Sequence, residues 1–228
     1  MRRDVEEDAM RTSAATVDRI LIFDFDGVLA DSLDAFEACV LAACRETNVP
    51  APADRAAFLR LFDENMFAGL QAAGVPAASL PALIAALRHR LEAAARSLRL
   101  WPGIPAELAR LARTSAVFVV TSSIAGVVAG VLRRHGVTCV RQILGAEEGT
   151  GKAQKIRVAA ATCPGKPFFY IGDTCGDVLE GREAGARTVA AAWGWHDATR
   201  LRLVQPDHLL LAPAELVALF RKGKGQDA

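Results

Sequence analysis

Arg19-Ile20-Leu21-Ile22-Phe23-Asp24-Phe25-Asp26-Gly27 decides the architecture. After Arg19 the run is apolar without polar alternation, β-branched and aromatic, as suits a strand buried on both faces of a parallel sheet. It ends on two aspartates spaced two apart. In extended chain, Asp24 and Asp26 project to one side and Phe23 and Phe25 to the other. Gly27 then lets the backbone turn sharply.

Further runs of the same kind follow at Ala116–Val120, Pro167–Ile171 and Arg187–Ala192, with weaker ones at Val140–Leu144 and His208–Leu211. Helical patterns separate them, at about Ile124–Arg134, Lys152–Thr162, Val178–Ala184 and Pro213–Lys222. Alternating strand and helix predicts an α/β fold, a Rossmann-like parallel sheet flanked by helices. One connection is far too long. About 90 residues without strand pattern, rich in Ala, Leu and Arg, separate the first run from the second, where a crossover needs about a dozen. The excess predicts an inserted all-helical subdomain over residues 33–100, with Trp101-Pro102-Gly103 as the return. The α/β core is then 18–32 together with 101–228.

The chain has 228 residues, 52% of them hydrophobic and 23% charged, with 27 Lys and Arg against 26 Asp and Glu. That length can bury roughly 70–75% of the unfolded surface without disulfide or metal staples. A net charge of +1 gives no electrostatic reason to expect nucleic acid or an anionic membrane as partner. No run of 18 or more apolar residues suggests a membrane span. The five cysteines are odd in number and form no CxxC pair, which reads as reduced thiols and a cytoplasmic location. Residues 1–17 mix both signs of charge and lack an apolar leader core, so they read as a loosely ordered tail, as does the polar RKGKGQDA stretch at the other end.

In open α/β sheets, ligands bind at the carboxyl ends of strands. Here those ends carry Asp24-Phe-Asp26-Gly27, then Thr121-Ser122-Ser123, then Gly172-Asp173-Thr174-Cys175-Gly176-Asp177. Neighbouring carboxylates repel unless a cation or proton intervenes. Asp24, Asp26 and Asp173 supply three hard oxygen donors, a set that suits Mg²⁺ with water and a phosphate oxygen. Gly149-Thr-Gly-Lys152-Ala-Gln-Lys155 offers two lysines at a helix start, where anions are favoured. It is not a Walker A loop, because Ala146 and Ala153 stand where Gly and Ser or Thr are needed. Lys152, at the helix mouth, is the better phosphate ligand of the two.

In order and spacing these motifs resemble the haloacid dehalogenase-like superfamily. Its pattern is an apolar strand with DxDGT/V (Asp24-Phe-Asp26-Gly-Val28), a strand ending in Thr or Ser (Thr121), a lysine before a helix (Lys152), and an acidic GDxxxD (Gly172-Asp173 to Asp177). The resemblance covers residues 19–215, and the helical insert resembles the superfamily's C1 cap. It implies that Asp24 is the nucleophile and Asp26 the general acid and base. It also implies Mg²⁺ on Asp24, the Asp26 carbonyl and Asp173, with Asp177 near or behind the metal. Thr121, Ser122 and Lys152 then bind phosphate.

Dehalogenases of the superfamily lack an Asp at the Asp26 position and phosphonatases have Ala there, so a phosphatase acting on a small phosphorylated metabolite is expected. Sugar phosphomutases share both aspartates, but the β-phosphoglucomutase type carries a His twelve places after the first, where this chain has Phe36. Taken whole, the chain is similar to the phosphoglycolate phosphatase-like group. A phospho-aspartate receiver module remains the alternative from another class, against which the insert and the Asp24-x-Asp26 spacing argue. Arg45, Asn65 and the aromatic stretch Phe58–Phe67 are candidate readers of the leaving group. The histidines His89, His135, His196 and His208 read as surface or packing residues, and Trp193-Gly194-Trp195 as a candidate pocket wall.

Overall fold

The structure is a computed structural model that describes residues 17–149 and 151–221. The two stretches expected to be loose lie outside the described residues, apart from Arg221, which ends a helix, and Val17, which packs partly buried against the sheet.

Six strands form one sheet: β1 (Arg19–Phe23), β4 (Ser115–Val120), β5 (Val140–Leu144), β6 (Phe168–Gly172), β7 (Arg187–Ala191) and β8 (His208–Leu210), in the order β5-β4-β1-β6-β7-β8. Every pairing is parallel. The apolar run at 19–23 is continuous because both faces of β1 are covered. Leu21 and Phe23 join Val117, Val119, Ile171 and Val189 in one core. Ile20 and Ile22, pointing the other way, join Ala116, Phe118, Val120 and Tyr170 in a second.

Between β1 and β4 the chain forms a short strand β2 (Ala30–Asp31), helices α1 (Leu33–Glu46), α2 (Arg55–Arg60), α3 (Met66–Ala72) and α4 (Leu80–Ala94), strand β3 (Arg99–Leu100) and helix α5 (Ile104–Leu111). The remaining helices are α6 (Ala125–Arg134), α7 (Lys152–Ala161), α8 (Cys175–Glu183), α9 (Ala198–Leu203) and α10 (Glu215–Arg221). Helix α1 buries Phe36, Cys39, Val40, Ala43 and Cys44, the i, i+3, i+4 stripe of a helix with one apolar face. That stripe meets Phe58, Leu61, Leu70, Leu83 and Leu87 in a core of its own, separate from the two cores of the sheet.

The stretch expected to be wholly helical departs from that at its end. Arg99–Leu100 pairs antiparallel with Ala30–Asp31, so the insert leaves and re-enters the core through a two-stranded ribbon. Two residues are too few to show a period in sequence.

Candidate active site

β1 lies between β4 and β6. The chain first builds outward from β1 on one side and then on the other, so the crevice at this strand order reversal opens at the carboxyl ends of β1, β4 and β6. Asp24, Thr121 and Asp173 each follow directly on one of these three strands.

The structure brings Asp24, Lys152, Asp173 and Asp177 into one buried cluster. The Lys152 Nζ donates to Asp24 Oδ2 at 2.7 Å and to Asp177 Oδ1 at 2.6 Å. One oxygen each of Asp24, Asp173 and Asp177 lie within 4.8 Å of one another. Asp24 Oδ1 also accepts from the Phe25 amide at 2.7 Å. Lys155 is placed differently. Its ammonium donates to the carbonyls of Thr121 at 2.6 Å and Gly145 at 3.0 Å, so it pins the loop after β4. Thr121 is buried and its hydroxyl accepts from the Ser123 amide, whereas Ser122 is exposed.

The four carboxylates sit in unlike environments. Burial pushes Asp24 up and Lys152 beside it pulls it back, leaving it raised to about 7. Burial, then the charges of Asp177 and Asp24, lift Asp173 well above the carboxylate range. Burial also raises Asp177, but Lys152 and the hydrogen bonds from Thr174 and Tyr170 more than reverse this and hold it low. Asp26, off the cluster, is raised by burial against hydrogen bonds from Ser123 and Ser32. Burial alone would pull Lys152 down, yet Asp177 and Asp24 keep its ammonium pKa well above the usual value.

Hydrogen bonding assigns these carboxylates different work. Asp177 has no oxygen to spare: Oδ1 accepts from Lys152 and Tyr170, and Oδ2 accepts from the Asp173 and Thr174 amides and the Thr174 hydroxyl. Its bond to the Thr174 amide closes a capping box at the start of α8. Asp173 has one oxygen held, Oδ2, by the Trp195 amide at 2.7 Å. Its other oxygen, Oδ1, is buried with no hydrogen-bond partner. A buried carboxylate oxygen left bare beside a second carboxylate fits a hard divalent cation better than it fits a metal-free core. Gly27 makes room for this arrangement. Its φ is +79°, and a Cβ there would stand 1.9 Å from Asp173 Oδ2.

Several site contacts have no signature in sequence. The Ser123 hydroxyl donates to Asp26 Oδ2 at 2.7 Å. The indoles of Trp101 and Trp193 donate to the carbonyls of Gly27 and Val28 and so brace the loop after the aspartates. Trp195 belongs to the core sequence yet packs into the cap, with ring centroids 4.8 Å from Phe62 and 5.0 Å from Phe36. His196 is buried. Its Nδ1 accepts from the Cys175 amide, so Nε2 donates to the Leu59 carbonyl and ties core to cap. Each of these contacts joins residues far apart in the chain, so no short motif displays it.

The candidate readers in the cap occupy different places, and Phe67 is exposed. Asn65 caps α3 by accepting from the Ala68 amide, Phe58 and Phe62 pack against each other at 5.3 Å, and Arg45 is exposed at the end of α1.

Carboxylates, a lysine and a hydroxyl thus gather at the strand order reversal of a parallel sheet. The family model for haloacid dehalogenase-like hydrolases matches residues 21–191, and the chain belongs to that family. It is 28% identical over 203 residues to a phosphoglycolate phosphatase of Synechococcus elongatus, spanning 86% of this chain and 94% of that protein. The fold is shared with a haloacid dehalogenase-like family hydrolase from Streptococcus pneumoniae, at TM-score 0.75 and 23% identity over 89% of this chain and 98% of the other. A hydrolase from Pseudomonas syringae superposes at TM-score 0.73 and 21% identity, covering 89% and 98%.

Proposed function

We propose that this protein is a phosphatase that hydrolyses a small phosphate monoester through an aspartyl-phosphate on Asp24, with Mg²⁺ as cofactor. The observation that carries the reading is the contrast between two aspartates two residues apart. Burial raises both, but Asp24 is paired to the Lys152 ammonium at 2.7 Å, while Asp26 accepts from the Ser123 hydroxyl at 2.7 Å. Two neighbouring carboxyl groups in unlike environments divide the roles of nucleophile and acid.

In the first step an Asp24 carboxylate oxygen attacks phosphorus and the ester P–O bond breaks, with Asp26 giving its proton to the leaving oxygen. In the second, Asp26 takes a proton from water as that water attacks phosphorus, which frees inorganic phosphate and returns Asp24 to a carboxylate. Lys152 and the Thr121 hydroxyl balance charge on the transferring oxygens. Ser123 orients Asp26. Asp177 holds Lys152 and the amides around Asp173 in place and takes no proton itself.

Asp24, Asp173 and the Asp26 carbonyl are the groups to hold Mg²⁺, which supplies charge withdrawal from the phosphoryl group and screening of the anionic nucleophile. The relative named phosphoglycolate phosphatase supports a phosphoglycolate-like substrate. Five free thiols fit a reducing compartment such as the cytoplasm, and no helix among the described residues is long and apolar enough to cross a membrane.

Net hydrolysis is favoured over phosphoryl shuttling by the surroundings of Phe36. Its ring packs in the cap among Phe58, Phe62 and Trp195, so that position offers no group to move a second substrate's proton.

The test is phosphate release from p-nitrophenyl phosphate and short alkyl phosphates. It should require added Mg²⁺, stop with a chelator, and be absent in Asp24→Asn. Turnover surviving in that variant rules out the covalent route.

A further inference from the structure

Among the described residues, one hydrogen bond orients the Asp173 side chain. Its Oδ2 accepts from the Trp195 amide at 2.7 Å, and its Oδ1 has no partner. The Asp173 carbonyl accepts from the next amide, that of His196, at 3.2 Å, so the turn after β7 closes on Asp173 at both side chain and backbone. Gly194 permits this approach, because a Cβ there would stand 2.3 Å from Asp173 Cβ.

That turn belongs to no strand or helix, so its place depends on what its side chains hold. The Trp195 indole lies in the cap. It is buried, its Nε1 makes no hydrogen bond, and packing alone seats it, with ring centroids 5.0 Å from Phe36, 6.0 Å from Phe58 and 4.8 Å from Phe62. The cap docks around the same turn through residues 59–63. The Leu59 carbonyl accepts from His196 Nε2 at 2.9 Å, the Phe62 carbonyl from the Gly176 amide at 3.0 Å, and Asp63 Oδ1 from Arg200 Nη2 at 2.6 Å. A single residue thus has its backbone on Asp173 and its ring in the core of the cap.

We propose that Trp195 is a positioning residue that ties docking of the cap to the cation site. With the cap seated, the indole holds the Trp195 amide against Asp173 Oδ2 and leaves Oδ1 for the cation. With the cap displaced, that restraint is lost. Partners that orient a ligand carboxylate set the metal affinity of the site. The coupling is reciprocal, so bound Mg²⁺ also holds the cap down. This deepens the phosphatase reading above and rests on its assignment of Mg²⁺ to Asp24 and Asp173.

The experiment titrates Mg²⁺ into the chelator-treated full chain by calorimetry, which reads affinity without turnover. Trp195→Leu keeps the amide and removes the aromatic ring, and its Mg²⁺ Kd should rise by about fivefold or more, the lower end of coupling between sites. Trp195→Phe, with an aromatic ring in the same seat, should restore most of the affinity. Phe62→Leu, which loosens that seat from the cap side, should raise the Kd in the same direction and keeps the test open where Trp195→Leu fails to fold. Amide hydrogen exchange gives the reciprocal readout. Residues 59–65 should exchange more slowly with Mg²⁺ than without it in the wild type, and the slowing should be smaller in the Leu variants. A role confined to packing lowers their melting temperatures and leaves the Kd of the folded protein unchanged, and that result overturns the inference. So does an equal loss of affinity in Trp195→Phe, or exchange at residues 59–65 that ignores Mg²⁺ in the wild type. Each of these leaves the cation assignment standing. A wild type that binds no Mg²⁺ overturns that assignment, and this inference with it.

Discussion

The rim of the sheet and the cap above it relate to sequence and to chemistry in opposite ways. At the rim, strand pairing fixes each polar side chain. Phe23 pairs with Val119 and Ile171, so the residues that follow emerge side by side. In the cap, helices pack through apolar stripes: α4 buries Leu83 and Leu87 and leaves charged residues such as Arg88 and Glu92 exposed. Positions dictated by a ladder of backbone bonds tolerate little drift. Positions on a packed helix can change without disturbing the core beneath them. The proposed function follows that difference, with the reaction assigned to the rim.

That assignment predicts that substitutions at the rim strike kcat. After the complete loss expected at Asp24, the largest effect belongs to Asp26→Asn. Its turnover should fall by at least about a hundredfold, the scale of general acid–base help. A variant as fast as wild type removes Asp26 from its role.

A smaller effect is expected for Ser123→Ala. The Ser123 hydroxyl lowers the pKa of Asp26, so its removal lets that pKa rise. Asp26 must be protonated for the first step, and the basic limb of the kcat profile should shift to higher pH with only a several-fold loss in rate. A shift to lower pH contradicts the assignment.

The smallest effect is on stability. Asp24, at about 7, and Asp173, also raised, each hold a proton more tightly folded than unfolded. Without metal, the folded state therefore loses stability as pH rises from the unfolded carboxylate value, about 4, through each folded value. Mg²⁺ competes for the ionised carboxylates. The rise in melting temperature on adding Mg²⁺ should be larger at about pH 8 than at about pH 5. An equal rise at both, or none, breaks the link between the cation and this cluster.

How much the sequence disclosed follows the same line between rim and cap. β1, β4 and β6 were legible because strands covered on both faces read as unbroken apolar runs. β5 was faint because Arg141 and Gln142 are exposed on an edge strand. The ribbon of β2 and β3 was invisible at two residues each. In the site, Asp24, Asp26, Asp173 and Asp177 stood out because they cluster within short motifs at strand ends. Ser123, Tyr170 and Trp195 did not, because what matters about each is a partner distant in sequence or a bond made by its backbone. In the cap, the aromatic residues drew attention through their chemistry, but Phe58 and Phe62 pack into the cap's own core.

The account turns on a covalent bond between Asp24 and phosphorus. The most direct test is borohydride added during turnover of a good substrate, followed by peptide mapping, because hydride reduces an acyl phosphate to an alcohol and leaves free carboxylates alone. The account predicts homoserine at position 24 and nowhere else, dependent on substrate. Reduction at another carboxylate, or none while phosphate continues to be released, contradicts it.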